Sequence, residues 1–458
     1  MTQPARPADT KAAAAGGRGA DGGHVPATAP LDELFPAAVS NPPTVTSSEP
    51  TTPVSAGFLT VYALAYTALW MALLAPVIVT LSLRVQALVG PDDSAGSLAL
   101  VSGVGALLAL VGNPLVGRLS DRTTSRWGMR RPWLVGGAVG GLLALLIVAQ
   151  APNIPVLLLG WCLAQLSYNA VLAAIVAILP DQVPAGQRGK VSGIVGIGLP
   201  LGTVLGTLIV QAVAGNLLLM FVLPAAITLI AVVALVVVLK DRRLDPAQRP
   251  PLSAVEFARS FWVNPRRQPD FGWAWLSRFL LFLGLATLLT YQAFYLMDHL
   301  GQDPADLPRL IFLSTAIQAA GIVISSVIAG RLSDRIGRRK VFVFAAALIY
   351  AVGLAVIAFA GSYSTFLVGM AITGLGQGAY LAVDLALVTD VLPNREQDAA
   401  KDLGVFNIAN AMPQSLAPAI APLFLAIGGP NNYVALFVAA AVFTAVGALA
   451  ISPVKGAR

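Results

Sequence analysis

The stretch Gly117-Arg118-Leu119-Ser120-Asp121-Arg122 occurs a second time, unchanged, as Gly330-Arg331-Leu332-Ser333-Asp334-Arg335, 213 residues further along the chain. Four additional residues, Thr123-Thr124-Ser125-Arg126, follow the first copy only. Beyond them, equivalent residues lie 209 apart, as in the pairs Gly128 and Gly337, Asp181 and Asp390, and Pro184 and Pro393. Because these later pairs all share the spacing of 209, one four-residue insertion explains the change of spacing. The sequence therefore predicts a tandem repeat of two similarly folded halves.

The composition excludes an ordinary soluble domain. Of 458 residues, 57% are hydrophobic and 11% are charged, and the mean hydropathy is +0.77. Soluble domains carry about a quarter charged residues, and a helix that crosses a bilayer needs roughly 20 apolar ones. Twelve such segments fit, at 58–83, 98–117, 133–151, 156–179, 191–213, 217–239, 271–297, 309–330, 341–360, 365–389, 403–426 and 433–451. The sequence predicts an all-α integral membrane protein with twelve transmembrane helices in two six-helix repeats.

The segments between the spans suggest the division of the chain. The first 56 residues are rich in Ala, Pro, Thr and Gly and have no apolar run long enough for the core of a signal peptide. The longest internal break separates six spans from six. We predict a disordered cytoplasmic tail over 1–56, an N-terminal half over 57–239, a cytoplasmic linker over 240–270, a C-terminal half over 271–451 and a short cytoplasmic tail over 452–458.

The basic residues are distributed unevenly across the predicted membrane. Of 29 Lys and Arg residues, 26 fall on the side that holds both tails, two (Arg84 and Arg309) fall on the other side, and Arg278 lies within a span. The positive-inside rule therefore predicts a multi-pass protein of the cell membrane with both termini in the cytoplasm. Topology and contact with anionic membrane lipid explain the net charge of +7, so we expect no nucleic-acid partner.

The Gly-x-Leu-x-Asp-Arg loop after spans two and eight resembles the signature loop of the major facilitator superfamily, and the resemblance covers residues 58–451. The longer first copy, residues 120–132, is similar to the form found in the sugar–cation symporter branch, which includes the sucrose-type carriers. The resemblance implies the major facilitator fold, in which spans one, four, seven and ten line a central cavity and substrate binds near the bilayer midplane. It also implies a cytoplasmic latch between the halves, formed in this chain by Gly117, Asp121, Arg122, Gly330, Asp334 and Arg335.

Polar side chains are concentrated in the predicted cavity spans and in span eleven. Polar residues inside spans cost free energy and need a partner or water, and in spans ten and eleven they repeat on one helical face. There are two alternative explanations. The aromatic residues could pack against neighbouring helices or lie at the membrane interface, and the amide side chains could form hydrogen bonds between helices. The candidate cavity residues are Tyr62, Tyr66, Gln165, Tyr168, Asn169, Gln292, Tyr295, Gln377, Tyr380, Asn407, Asn410 and Gln414.

Asp384 is the only carboxylate placed deep in a predicted span. An ionised carboxylate near the bilayer centre costs about 2.5–3.5 kcal/mol, and the repeat counterpart of Asp384 is Ile175, so the fold itself does not demand an acid there. We therefore predict that Asp384 is the coupling or substrate-charge site. The alternative is a structural ion pair with Arg278, a residue that could otherwise extend to the cytoplasmic face.

Enzymatic chemistry has few residues to support it. The chain has one cysteine, Cys162, and two histidines, His24 and His299, so we expect no metal site, no cofactor and no enzyme. No loop is long enough for the soluble domain of a receptor. We predict a secondary carrier, working as a monomer, that imports a small polar organic solute such as a sugar together with a proton or sodium ion. Export of drugs or metabolites is the alternative.

Overall fold

The computed structural model describes residues 52–249, 268–391, 399–429 and 431–454, apart from the side chains of a few residues within these ranges. All regular secondary structure in the described ranges is helical. The predicted N-terminal tail lies outside the described residues up to residue 51, and so does most of the predicted linker. The described part of that linker is irregular, with one short turn at Pro246–Gln248.

The helices follow the order of the predicted spans. Those of the first half are Ala56–Ala75, the π-helical turn Pro76–Thr80, Leu81–Asp121, Arg131–Gln150, Ile154–Gln182, Ala185–Gly196, Gly198–Ala212 and Leu217–Val238. Those of the second half are Pro269–Phe294, the π-helical turn Tyr295–His299, Leu307–Ile336, Arg339–Ala358, Tyr363–Val391, Ala399–Leu425 and Tyr433–Ala450. Each predicted span lies within one of these helices or within consecutive ones, which confirms the all-α membrane fold.

Length and composition support the membrane assignment directly. Ten stretches of the described helices are long and apolar enough to cross a bilayer, and the first of them, Ala56–Asp121, contains both span one and span two. Span six, Leu217–Val238, is the most apolar and one of the least enclosed by protein, whereas span seven, ending at His299, is the most enclosed. Span seven is therefore central in the bundle, and span six faces lipid.

The predicted break over residues 84–97 is wrong. The chain is helical there except at Gly90, whose φ of 76° interrupts the helix. Pro91 follows at the first position of the next helix, where its fixed φ is favourable and its missing N–H costs nothing. Asp92 and Asp93 then occupy the first turn, where acidic side chains oppose the helix dipole. A short polar sequence thus starts a helix instead of forming a loop.

Capping residues set the start of four spans. Ser55, Asn153, Asn216 and Asn432 each stand before a span and accept a hydrogen bond from a backbone N–H of its first turn. Such side chains replace the hydrogen-bond partners that the first turn of a helix lacks. At the end of span eight, Gly337 adopts the left-handed conformation, with a φ of 70°, as is common for glycine after a helix.

The two faces of the bundle are named here by the chain ends. The tail side is the face where span one begins at Ala56 and span twelve ends at Ala450, and the far side is the opposite face. On the tail side, Arg131 at the start of span three donates to the carbonyl of Leu239, just after span six. Its repeat counterpart, Lys340, donates to the carbonyl of Val454, just after span twelve, at 2.9 Å.

The internal repeat is visible in the packing. A Cβ on Gly117 would lie 4.0 Å from the Cβ of Ala173, and a Cβ on Gly330 would lie 3.8 Å from that of Ala382. Gly330 is the counterpart of Gly117, and Ala382 is the counterpart of Ala173, at the spacings read from the sequence. Spans two and four therefore cross next to the first copy of the repeated loop in the same way as spans eight and ten cross next to the second copy.

Spans one and seven are related by a third spacing. Thr228 of span six donates to the carbonyl of Ala68 in span one at 2.6 Å, and Thr444 of span twelve contacts Gly284 of span seven. Both members of the second pair lie 216 residues after those of the first. This spacing identifies equivalent positions in spans one and seven, which the sequence markers do not reach.

The two halves pack together on the far side. One hydrophobic core there contains Leu69 and Val79 of the first half together with Leu288 and Ala421 of the second. A separate core near the tail side consists of residues of the second half, such as Phe406. The described residues thus place the largest apolar contact between the halves on the far side of the bundle.

Candidate substrate and coupling site

An ion pair within the membrane connects spans seven and ten. Arg278 lies nine residues after Pro269, which begins span seven, and Asp384 lies seven residues before Val391, which ends span ten. An Nη of Arg278 donates to Oδ2 of Asp384, and the two side chains are 14% and 5% exposed. The structure thus has the ion pair between Arg278 and Asp384, and not the other possibility, extension of Arg278 to the membrane surface.

Span eleven completes the surroundings of this guanidinium. Nε of Arg278 donates to Oδ1 of Asn410. The rings of Phe406 and Phe282 lie with their centroids 5.0 and 5.4 Å from the guanidinium carbon, at distances where a ring face attracts a cation. The Arg278 site, defined as Arg278, Asp384 and Asn410 with these two rings, thus joins three spans.

Two predicted residues of span ten differ in their relation to this site. Tyr380 is one turn before Asp384 and is 1% exposed, and its hydroxyl has no hydrogen-bond partner among the described residues. Gln377 is buried, and its Oε1 accepts from Nε2 of Gln318 in span eight at 3.5 Å. Tyr380 therefore belongs beside the Arg278 site, whereas Gln377 links span ten to span eight.

The first half has a neutral contact at the equivalent position. The hydroxyl of Tyr62 in span one donates to the carbonyl of Ile175 in span four at 3.0 Å. Arg278 follows Tyr62 by 216 residues, and Asp384 follows Ile175 by 209, the spacings that relate these spans. The same inter-span contact is thus a hydrogen bond in one half and an ion pair in the other.

The first half also has an amide cluster. Nδ2 of Asn113 in span two donates to Oδ1 of Asn169 in span four at 3.3 Å. Nδ2 of Asn169 donates to the backbone carbonyl of Gln165, one turn earlier, at 2.9 Å. Asn113 was not among the predicted residues, although an amide beside Pro114 within a span is a signal that could have identified it.

The remaining candidates have packing contacts or lie outside the described side chains. Tyr66 and Trp70 contact edge-to-face at 6.1 Å. Tyr168 is buried against Gly141 of span three. The hydroxyl of Tyr295 donates to the carbonyl of Ala360 at 3.1 Å, near the far side.

Three predicted amides are placed differently. Gln292 is 1% exposed in span seven, and its Oε1 has no hydrogen-bond partner among the described residues. Gln414 is exposed. The side chain of Asn407 lies outside the described residues. Of the amides predicted in span eleven, Asn410 is the one that the structure brings to the Arg278 site.

The first copy of the repeated loop is organised by Arg130. Its guanidinium bonds Oδ1 of Asp121 at 2.7 Å and Oδ2 of Asp181 at 2.9 Å, and it also donates to the hydroxyl of Ser120. Oδ2 of Asp241 accepts the backbone N–H groups of Arg130 and Arg131 at 2.7 and 2.9 Å. The Arg130 cluster, defined as Asp121, Arg130, Asp181 and Asp241, therefore ties spans two, three, four and six of one half.

Burial and charge act in opposite directions on Arg130. Burial alone lowers the pKa of its guanidinium, but the charges and hydrogen bonds of Asp181 and Asp121 outweigh burial, so the pKa is raised. Arg130 thus stays cationic. The loop prediction included Asp121 and not Arg130, which was counted only among the 26 basic residues on the side of both tails. The recurrence of Asp181 as Asp390 was the available signal for an acidic partner.

The other loop residues complete this comparison. Arg122 is half-buried, and Arg335 is exposed. The side chain of Asp334 lies outside the described residues. The structure therefore describes Asp121 in a bond within its own half, and the predicted latch between halves stays a prediction.

Twelve helical spans in two repeated halves, with a buried ion pair that joins spans seven and ten, define a multi-pass membrane protein. The family model of the major facilitator superfamily matches residues 58–317 and 308–456. The chain belongs to that superfamily, and it is a transporter rather than an enzyme.

Individual relatives are more distant. Multidrug resistance protein MdtL of Klebsiella pneumoniae (strain 342) is 31% identical over 155 residues, which are 33% of this chain and 38% of that protein. Sucrose transport protein SUC4 of Arabidopsis thaliana is 37% identical over 75 residues, 16% of this chain and 14% of that protein. The chain thus matches well under half the length of these curated relatives.

Solved structures extend the comparison to nearly the whole fold. The crystal structure of the nucleoside transporter NupG has a TM-score of 0.66 to this chain at 14% identity. The match covers 87% of this chain and 98% of that one. At this identity the similarity establishes the shared fold of the two proteins.

Proposed function

We propose that this transporter imports a small polar organic solute, with sugars the first class to test, together with a coupling cation, and that Asp384 is the coupling residue. The observation that carries the proposal is the buried ion pair between Arg278 and Asp384. It stands where the other half has the neutral contact of Tyr62 with Ile175. The fold can therefore hold these two spans together without a charge.

The energetics support a functional reason for the pair. Charged side chains at the bilayer centre cost about 2.5–3.5 kcal/mol each on insertion scales. Removal of one partner from a buried pair typically costs about 3–5 kcal/mol, while replacement of both by neutral groups is often harmless. A purely structural contact would be cheaper as the hydrogen bond that Tyr62 makes.

The geometry suggests how coupling would operate. A proton on Asp384 removes the negative charge that holds Arg278, and the link between spans seven and ten weakens. Sodium is the alternative cation, with oxygen atoms of Asp384 and Asn410 as candidate ligands. Either cation shifts the equilibrium between conformations only through its different affinity for them, and Arg278 supplies that difference because its bonds change when the cation binds.

Polar substrates are supported by the amides of both halves. The cluster of Asn113, Asn169 and Gln165 provides donors and acceptors in the first half, and Asn410 provides them beside the Arg278 site. Sugars and similar solutes are recognised by such groups placed in an otherwise apolar site. The match to a sucrose transport protein points in the same direction.

Efflux of drugs or metabolites is the second candidate. The longer match, to a multidrug resistance protein, favours it. So do the rings of Phe282 and Phe406, because aromatic faces beside a polar group suit flat, partly apolar solutes.

Uptake by the full-length chain in proteoliposomes tests the proposal. Labelled sugars and common drugs are offered with an imposed proton gradient, with a sodium gradient and with neither. We expect gradient-driven accumulation of a polar solute by the wild type. In Asp384→Asn, accumulation is lost while exchange of the solute across the membrane continues, because binding survives but coupling does not. Accumulation at the wild-type level by a correctly folded Asp384→Asn variant would refute the role of Asp384.

Asp92→Asn provides the matched control for this experiment. It removes one carboxylate from the exposed start of span two, far in sequence from the Arg278 site, and we expect unchanged accumulation. Export of a drug against its gradient, without uptake of any polar solute, would favour the efflux candidate.

A further inference from the structure

We infer that the transported solute carries a carboxylate or a similar oxyanion, which the guanidinium of Arg278 binds when a proton has neutralised Asp384. This inference rests on the proposed function and specifies its substrate class. The structural basis is an arginine within the spans that bonds one carboxylate among the described side chains, and a proton can neutralise that carboxylate.

The hydrogen bonds that Arg278 forms with described residues leave N–H donors of its guanidinium for a second acceptor. A guanidinium has five N–H donors in one plane. Among the described residues, Nε bonds Asn410 and one Nη bonds Asp384, while Phe282 and Phe406 lie near the guanidinium at cation–π distances. Carboxylates bind guanidinium groups edge-on through two parallel hydrogen bonds. A solute carboxylate would therefore occupy the edge that Asp384 gives up on protonation.

The charge of the site selects the charge of the solute. With Asp384 ionised, the pair is neutral. With Asp384 protonated, the site carries one positive charge in a buried position, which a neutral sugar would leave uncompensated. A solute with one negative charge restores neutrality. Because an unpaired buried charge is strongly unfavourable, the site binds the proton and the anion together more readily than either one alone.

The Arg278 site can compensate only one negative charge on the solute. Arg278 is the single basic residue placed in the interior of a predicted span, since Arg309 stands at the first residue of span eight. The counterpart of Arg278, Tyr62, is neutral. Among the described side chains, the amide cluster of Gln165 and Asn169 in the other half is also uncharged. A monoanion with polar groups therefore fits the two halves better than a dianion, for which the predicted spans hold no second cation.

Benzoate and benzamide form a matched pair of probes, because they share a flat ring and differ in charge. Thermal unfolding of the full-length protein in detergent is followed with each probe at equal ionic strength. We expect benzoate, and not benzamide, to raise the midpoint of Asp384→Asn by several degrees, because it supplies the missing counter-ion. The double variant Arg278→Gln/Asp384→Asn has no charge at the Arg278 site and should respond to neither probe.

The wild type provides a second measurement that needs no variant. Benzoate should stabilise it increasingly as the pH is lowered, because a proton on Asp384 frees Arg278 for the anion, and least where Asp384 itself holds Arg278. If benzoate is no better than benzamide both for the acidified wild type and for Asp384→Asn, the inference is wrong. If Asp384→Asn does not fold, the wild-type comparison alone decides.

Transport separates this inference from the proposed function. Uptake of glucuronate and glucose is compared under a proton gradient, because the two sugars differ mainly in one carboxylate. Accumulation of glucuronate in preference to glucose supports both the inference and the proposed function. Accumulation of glucose that benzoate does not inhibit would overturn the inference and leave the proposed coupled import in place. Stabilisation by benzoate without gradient-driven uptake of any solute would support the anion site and count against coupled import.

Discussion

Arg278 and Asp384, 106 residues apart in the chain, form a buried ion pair at the position where the first half of the molecule has a neutral hydrogen bond. The two contacts join equivalent spans at equivalent positions, so the repeat provides its own comparison. The first half joins these spans through a hydrogen bond from Tyr62 to a backbone carbonyl, whereas the second half joins them through two charged side chains. The difference between the halves, and not the shared architecture, is therefore the basis on which we propose this site.

Replacement of either member of the ion pair should destabilise the protein more than replacement of both. Arg278→Gln and Asp384→Asn each leave a buried charge without a partner, and we expect each to lower the free energy of unfolding by about 3–5 kcal/mol. The double variant should recover most of that loss. Thermal or denaturant unfolding in detergent measures the three values.

Tyr62→Phe is the matched control in the other half. It removes only the hydrogen bond to the carbonyl of Ile175, so we expect a loss of about 0.5–1.5 kcal/mol. A double variant of Arg278 and Asp384 that is as unstable as the sum of its single variants would show that the two charges do not stabilise each other.

Asp121 should affect transport more than stability. Its side chain is 55% exposed, and Arg130 keeps Asp181 when Asp121 is replaced, so Asp121→Asn should cost no more than about 1 kcal/mol. If Asp121 biases the conformational equilibrium, the variant transports slowly while its affinity for solute in detergent is nearly unchanged. A loss of affinity as large as the loss of transport would contradict this role.

Gly128 is required by the Arg130 cluster. Its φ is 113°, and an added Cβ would lie 2.2 Å from Oδ2 of Asp241, the atom that accepts the first N–H groups of span three. We expect Gly128→Ala to lower the free energy of unfolding by about 1–3 kcal/mol, through backbone strain and displacement of that carboxylate. Gly136→Ala, in an exposed position of span three with nothing within 4 Å, should have no adverse effect. Equal losses for both would contradict the explanation.

A disulfide between spans two and eleven should stop transport. A Cβ on Gly103 would lie 3.9 Å from the Cβ of Pro418, within the range that a disulfide requires. In a Cys162→Ser background, Gly103→Cys with Pro418→Cys joins the two halves, and alternating access needs them to move against each other. We expect transport to be lost on oxidation and restored by reductant, while neither single variant responds. Full transport by the oxidised, cross-linked protein would show that the halves need not separate there.

The sidedness of the membrane can be tested with fusions. Because 26 of 29 basic residues lie on the side of both tails, we predict that this side is cytoplasmic. A reporter active only in the cytoplasm should work when fused after Arg458 and fail when inserted near Asp93. The reverse pattern would invert the predicted topology.

Local sequence was a good guide to the helices and a poorer one to their ends. Long apolar runs predict spans because a bilayer accepts few other structures, and all twelve are helical. The break near Gly90 was mispredicted because Asp92 and Asp93 suit a loop and the first turn of a helix equally well. A single glycine conformation, which hydropathy cannot show, separates span one from span two.

The candidate site was predicted in part. The one deep carboxylate, Asp384, could be found because a charge inside a span is rare whatever surrounds it. Asn410 was found through its helical spacing, but the same spacing also selected Gln377, which bonds Gln318 of span eight inside its own half. Spacing identifies one face of a helix, and it does not show whether that face meets the other half or a neighbouring span.

The sequence by itself determined the twelve spans, the two-fold repeat and the uneven charge, since each depends on local composition or on similarity along the chain. Only the tertiary structure decided that Arg278 meets Asp384 and that Arg130 gathers Asp121 and Asp181. The physical reason is that a buried charge must find a partner, while the choice of partner depends on how each helix is rotated about its axis. Contacts with many neighbouring spans set that rotation together, and no single segment of the sequence contains them.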